Sequence, residues 1–228
     1  FLILLCSCSE KSTDGGENEN NFLPKSYDID ANGIVTNSEM SLDDFHTAIQ
    51  CTPCHQGHYD QWVDSRHAYS FKNNPLFETN WNSEIEHRPL TGESYCVQCH
   101  APSAFVTGYD LSGINDPNDS SIPEIIAEGV SCDICHSVVM SSNSVYTANN
   151  VAAVADYYLN PGEGVKFGSI ENPESNTFHE SVYSNVYSRS ESCLPCHDQF
   201  IRGYSIEATF TEWENSFNTM SGLNQCQQ

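Results

Sequence analysis

One pentapeptide, Cys-x-x-Cys-His, recurs four times in this chain: Cys51, Cys54 and His55; Cys96, Cys99 and His100; Cys132, Cys135 and His136; Cys193, Cys196 and His197. Two thiols three positions apart share one face of a helical turn, where they can add to the two vinyl groups of a single haem. The histidine that follows is then held under the iron as its proximal ligand. Each pentapeptide therefore reads as a covalent haem c site, and four of them describe a tetrahaem electron carrier. Zinc ribbons also use paired Cys-x-x-Cys knuckles, and redox dithiols use one. Neither requires a histidine after the second cysteine, and here it follows every time.

A proximal imidazole leaves one axial position on each iron. Five histidines lie outside the motifs: His46, His58, His67, His87 and His179. Bis-histidine ligation suits electron transfer, because a low-spin iron changes oxidation state with little rearrangement, whereas an open position suits binding of a small substrate. His67 leads the candidates for distal ligand, since Trp62-x-x-Ser65-x-His67 lies on one expected helix from which Trp62 would pack on a porphyrin face. His179 comes next, as the spare histidine between the third and fourth motifs, and His46 and His87 complete the set. His58, three residues beyond a proximal ligand, is awkwardly placed for a neighbouring iron and is left out. Met40, Met140 and Met220 could ligate instead, but methionine is more often a packing residue.

The elements that must position these residues are short. At 228 residues the chain is one or at most two domains, and its apolar fraction of 38% is low for a core built from side chains alone. The expected fold is mainly α and loop-rich, a multihaem cytochrome c fold with little or no β-sheet, in which the haems form the core. Ser41 can cap a short helix that carries Asp43 and Asp44 in its first turn, contains His46 and ends at the first motif. Tyr59 to Ser70 reads as helical. Ser121-Ile-Pro-Glu starts a helix that Gly129 stops, and Val151 to Leu159 makes another, halted by Asn160-Pro161-Gly162. Ile206, Phe210, Trp213 and Phe217 fall on one helical face, as core against haem. An internal echo aligns Tyr59, Trp62, Ser65 and His67 with Phe210, Trp213, Ser216 and Asn218. Cys226-Gln-Gln after it reads as the opening of a fifth haem motif, so the full product is expected to carry at least five haems.

Of the eleven cysteines, eight belong to the motifs, which leaves Cys6, Cys8 and Cys226 and no disulfide framework. The opening FLILLCSCSE has no initiator methionine, is too short to span a bilayer and reads as the tail of a secretory signal. Leu5-Cys6-Ser7-Cys8 resembles a bacterial lipobox, which makes Cys8 the lipidation site and membrane anchor; an ordinary signal peptide cut nearby is the competing reading. Residues 1–8 are thus a signal remnant and 9–22 a flexible polar tether. Within 23–40, Asp28 to Glu39 matches the twelve-residue calcium loop: Asp28, Asp30 and Asn32 alternate, Gly33 turns, Ile34 offers a carbonyl and Glu39 closes. An acidic exposed turn has the same composition. Residues 41–228 form the multihaem domain. Eight Lys and Arg against 31 Asp and Glu give a formal charge of -23, which excludes nucleic acid as a natural partner. Such a surface would steer toward basic redox partners, or simply keep a secreted protein soluble.

The stretch CTPCHQGHYDQWVDSRHA resembles the opening haem unit of the tetrahaem cytochromes c that accept electrons from hydroxylamine oxidoreductase, and of larger related multihaem cytochromes. CVQCHAPSAF, EGVSCDICHSV and TFHESVYSNVYSRSESCLPCHDQF continue the same order, so the similarity runs roughly from His46 to His197. It implies a mostly helical fold with closely packed haem pairs, His67 as a distal ligand and one five-coordinate iron. The calcium-like loop, the acidic balance and the Trp213 echo are departures from the short carriers.

The function expected from these residues is electron transfer along a chain of at least four c-type haems, outside the cytoplasmic membrane, in the periplasm or at the outer membrane or cell surface of a bacterium. One alternative is a multihaem oxidoreductase acting on nitrogen or sulfur compounds at an open iron, although no Cys-x-x-Cys-Lys variant is present and no acid–base cluster marks a pocket. The other is a subunit of an extracellular haem filament. Because thioether bonds survive denaturation, acid–acetone extraction is expected to leave the pigment on the polypeptide; a colourless pellet would contradict covalent attachment.

Overall fold

The computed structural model describes residues 22–30, 34–83, 94–139, 155, 157–162, 164–201 and 204–216. Cys8, Asn32, Gly33, His87, Met140, Phe217, Asn218, Met220 and Cys226 lie outside these described residues.

A single turn of helix is the shortest element that brings positions i, i+3 and i+4 to one face, and every motif adopts it. Helix α1, Ala48–Val63, carries the first motif, and its helical dihedrals break at His55 (φ -120°, ψ 34°). Its start is fixed by the Gln50 side chain, which accepts the Thr47 backbone N–H at 2.8 Å. Helix α2 is Pro75–Ser83. Helix α3, Ser94–His100, ends on the second proximal histidine. It leads into the buried α4, Pro102–Thr107, which Gly108 closes in the left-handed region at φ 66°. Helix α5, Glu124–Ala127, precedes α6, Cys132–His136, which is the third motif itself. Two 3₁₀ turns, Asn185–Ser188 and Ser190–Cys193, deliver the fourth motif to α7, Leu194–His197. Helix α8 is Thr209–Ser216. No helix among the described residues is long and apolar enough to cross a membrane.

Three small strand pairs tie these turns together. Strands β1 (Tyr27–Ile29) and β2 (Val35–Ser38) are antiparallel, with Tyr27 opposite Ser38. Strands β3 (Val165–Gly168) and β4 (Glu180–Tyr183) are parallel, with Val165 opposite Glu180. Strands β5 (Gln199–Ile201) and β6 (Tyr204–Glu207) form a hairpin immediately after the fourth motif. A side-chain core lies beside the motifs. Phe71, Phe77 and Trp81 pack edge to face or tilted within 5.8 Å of one another, and Val97, Phe105, Val106, Leu111, Ile126 and Ile134 complete it. Met40, 4% exposed, belongs to this cluster and is a packing residue.

Several local expectations give way to tertiary contacts. After Ser41 only a 3₁₀ turn forms, Leu42–Asp44, and His46 sits in the break before α1 because its backbone N–H is taken by Asp133 Oδ2 at 2.8 Å. The helix over Tyr59 to Ser70 stops at Val63. Most of the helix expected over Val151 to Leu159 lies outside the described residues; Leu159 at its end pairs with Val138 in an isolated bridge. Ile206 is on strand β6 and 53% exposed, whereas Phe210 is buried on α8. The described residues of the calcium-loop segment belong to the antiparallel pair β1 and β2: Asp28 Oδ2 accepts from Asn37 Nδ2 at 3.2 Å, and Asp30 Oδ1 accepts the Ile34 N–H at 2.9 Å. Glu39 turns away to accept both the N–H and the hydroxyl of Ser26 at 2.8 Å. Asp28 and Glu39 are thus hydrogen-bonded to Asn37 and Ser26, while Asn32 and Gly33 of the expected calcium loop lie outside the described residues.

Gly129 stops its helix as expected, at φ 69°, and it is also a crossing point. A Cβ there would meet Ser70 Oγ, the His67 carbonyl at 2.8 Å and the His100 carbonyl at 3.3 Å. Left-handed strain and overpacking each cost roughly 1–2 kcal/mol or more. Gly129→Ala is therefore expected to lower the unfolding free energy of the haem-loaded protein by about 2–4 kcal/mol in guanidinium titration; an unchanged midpoint would contradict this packing.

Candidate haem-binding site

The short helices present each pair of motif thiols with its histidine, and the folds between them bring the motifs together. The Cys132 thiol hydrogen-bonds to Cys51, which pulls Cys51 down to about 7. The Cys99 thiol hydrogen-bonds to Cys196 and lowers its pKa, and the half-buried Tyr157 hydroxyl also lies 3.2 Å from Cys196 Sγ. Attachment sulfurs of the first and third motifs thus meet, as do those of the second and fourth. Tyr187, on the 3₁₀ turn that leads toward the fourth motif, packs on the third: its hydroxyl donates to the Cys135 carbonyl at 2.5 Å and its ring lies parallel to His136, 5.6 Å away.

The tautomer of a motif histidine decides whether it can bind iron. His100 Nδ1 is 2.5 Å from the Ser70 carbonyl, and His136 Nδ1 is 2.7 Å from the Phe167 carbonyl. A carbonyl only accepts, so Nδ1 carries the proton and Nε2 keeps its lone pair for a metal. Burial lowers the pKa of His100, and the Ser70 carbonyl only partly opposes this. Burial, followed by the neighbouring His197, lowers that of His67. Both are held as the neutral imidazoles that an iron takes.

Two of the distal candidates face proximal histidines. The His179 ring centre is 6.3 Å from that of His55, and the His67 ring centre is 6.2 Å from that of His197. An iron with two axial imidazoles holds each nitrogen at about 2 Å, and each ring centre lies about 1.1 Å behind its nitrogen, so the centres must be about 6 Å apart. Both separations fit a shared iron. His58 is also 6.0 Å from His55, but the two leave one helix three positions apart, side by side, and His58 has no approach from the far side of an iron. Among the described residues His46 faces no motif histidine ring; its Nδ1 lies 3.5 Å from Asp133 Oδ2, which leaves Nε2 as the nitrogen that would be open to a metal. Trp62 is fixed by donating Nε1–H to the Val130 carbonyl at 2.9 Å. The sequence echo is matched in space, with Tyr59 and Trp62 rings 5.8 Å apart and Phe210 and Trp213 rings 5.4 Å apart.

Three acidic residues at the site carried no signal in the sequence pattern. Asp133, within the third motif and 1% exposed, pairs with Lys166 Nζ at 2.5 Å. Glu128 accepts the Ala48 N–H at the start of α1 at 3.0 Å; burial pushes its carboxyl up to about 7, against that hydrogen bond. Glu207 lies 3.7 Å from His197 Nδ1. Each makes its contact with a residue that local sequence does not point to, so only folding reveals the role.

Residues 50–137 match the cytochrome c554 and c-prime family. No curated protein matches the chain. A crystal structure of a penta-heme cytochrome c552 from Thermochromatium tepidum is similar, with a TM-score of 0.58 at 18% identity over 78% of this chain and 52% of that one. The chain thus spans about half the length of that protein. The matched segment, the shared fold and the four pentapeptides support a multihaem c-type cytochrome.

Removing His67 would deprive an iron held on His197 of its facing imidazole. His67→Ala is expected to convert one low-spin ferric haem to a high-spin signal in electron paramagnetic resonance, and His179→Ala to do the same at His55. Unchanged low-spin intensity in either variant would contradict that pairing.

Proposed function

We propose that this multihaem c-type cytochrome passes single electrons along four covalently bound haems, with His67 and His179 as distal ligands on the His197 and His55 irons. The observation that carries this reading is the pair of facing imidazoles at iron-spanning separation, one on the first motif and one on the last. His46, with Nδ1 turned to Asp133, supplies a further axial nitrogen. When bound, each haem contributes a one-electron iron couple. The chain's own part is to orient the imidazoles, fix their protons on Nδ1 and keep neighbouring macrocycles close enough for tunnelling.

The same reading places the protein outside the cytoplasmic membrane, anchored by lipid on Cys8 through the polar tether, as a relative of the tetrahaem acceptors of hydroxylamine oxidoreductase. The partners proposed are redox proteins with basic docking surfaces, supported by the formal charge of -23. An open-iron oxidoreductase and a haem filament subunit are the competing functions.

The dithionite-reduced protein is expected to reduce a basic c-type carrier in stopped flow, with a rate that falls several-fold between low salt and about 0.15 M as charge is screened. It is expected to turn over neither nitrite nor hydroxylamine. Catalytic consumption of either would favour the enzyme reading, and a salt-independent rate would remove the basic partner.

A further inference from the structure

The motif histidines differ in what holds Nδ1. His100 and His136 donate to the neutral carbonyls of Ser70 and Phe167 at 2.5 and 2.7 Å. His197 instead faces a carboxylate, Glu207 Oε1, at 3.7 Å. The hairpin that follows the motif creates this contact: β5 begins two residues after His197, and Gln199 is paired with Glu207 at the far end of β6. Gln199 is 3% exposed and anchors the turn by donating Nε2–H to the Pro195 carbonyl at 2.6 Å. The Thr209 N–H fixes Glu207 Oε1 at 2.9 Å. Thr211 in turn ties α8 to the motif, donating its hydroxyl to Asp198 Oδ1 at 2.8 Å. The carboxylate is therefore built into the proximal side of one site and is matched by carbonyls at two others.

We propose that Glu207 is the residue that lowers the reduction potential of the haem on His197 relative to those on His100 and His136. The inference rests on the haem-binding reading above. At 3.7 Å the carboxylate lies beyond hydrogen-bond distance of Nδ1, so it acts on the ring through its negative charge, which makes the imidazole a stronger donor through Nε2. A stronger donor, together with a negative charge close to the metal, favours Fe(III) over Fe(II). The step affected is the gain of one electron from a neighbouring haem by Fe(III); no bond is broken and the proton stays on Nδ1. Both side chains are about two-fifths exposed, so solvent screening holds the effect below that of a buried pair. Glu207 thus makes the His197 haem the one that gives up its electron more readily than the other two.

The test is a spectroelectrochemical titration of the haem-loaded protein and its Glu207→Gln and Glu207→Asp variants. Nuclear magnetic resonance assigns each couple through contacts from haem methyls to the thioether protons of Cys193 and Cys196. Glu207→Gln is expected to shift the Fe(III)/Fe(II) equilibrium of the His197 haem about tenfold toward Fe(II), about 59 mV for a one-electron couple, with the other couples in place. Glu207→Asp, which keeps the charge, should retain most of the low potential; a purely structural role would change stability and leave all potentials alike. An unmoved His197 couple in Glu207→Gln overturns the inference. Should that variant lose its haem, the wild-type protein decides: a His197 couple at or above those of His100 and His136 overturns it. Absence of haem couples in every protein would instead sink the haem-binding reading.

Discussion

An iron gripped by imidazoles from distant parts of the chain is the constraint on which this account rests. His55 lies early in the domain and His179 late; His67 and His197 repeat that long-range relation. Closing such long loops costs chain entropy that a modest apolar content is poorly able to offset. In the haem-loaded protein proposed here, thioether attachment and axial ligation close them at defined points. That explains why helices of a single turn suffice: each need only hold two thiols and a histidine on one face, and the cofactor supplies the long-range bond. The side-chain core around Phe71, Phe77 and Trp81 then acts as a buttress at the edge of the motifs. It seats Phe77 4.5 Å from the His100 ring and places the Ser70 carbonyl on Nδ1.

The small strand pairs serve the same end. The parallel pair β3 and β4 presents the Phe167 carbonyl to His136 from one strand and launches the other directly after His179, so one element orients ligands for two motifs. The β5 and β6 hairpin folds a carboxylate onto His197. Gly129 lets the His67, Ser70 and His100 backbones converge. Electrostatics is then set by second neighbours: a carbonyl for two imidazoles, a carboxylate for another, and the Asp133 and Lys166 pair behind His46. These neighbours give chemically similar haem sites different environments.

What was legible in the sequence was local chemistry. Cys-x-x-Cys-His is a complete instruction for one helical turn, and the glycine stop at 129 depends only on backbone freedom. His67 and His179 could be ranked because few histidines were spare and each had a distinctive neighbourhood. What failed was whatever depended on a partner elsewhere. Ile206 has helical spacing to Phe210, yet pairing with β5 claims it for a strand. Glu207, Glu128 and Asp133 sit among many acidic residues in an acidic chain, and nothing in their local sequence separates them from solvated charges.

The most direct test of the central claim is anomalous diffraction from crystals of the haem-loaded protein at the iron absorption edge. Iron peaks are expected midway between His55 and His179 and midway between His67 and His197, each beside its own pair of thioether sulfurs. Irons located away from those two gaps, or a zinc signal at the cysteine pairs, would contradict the account.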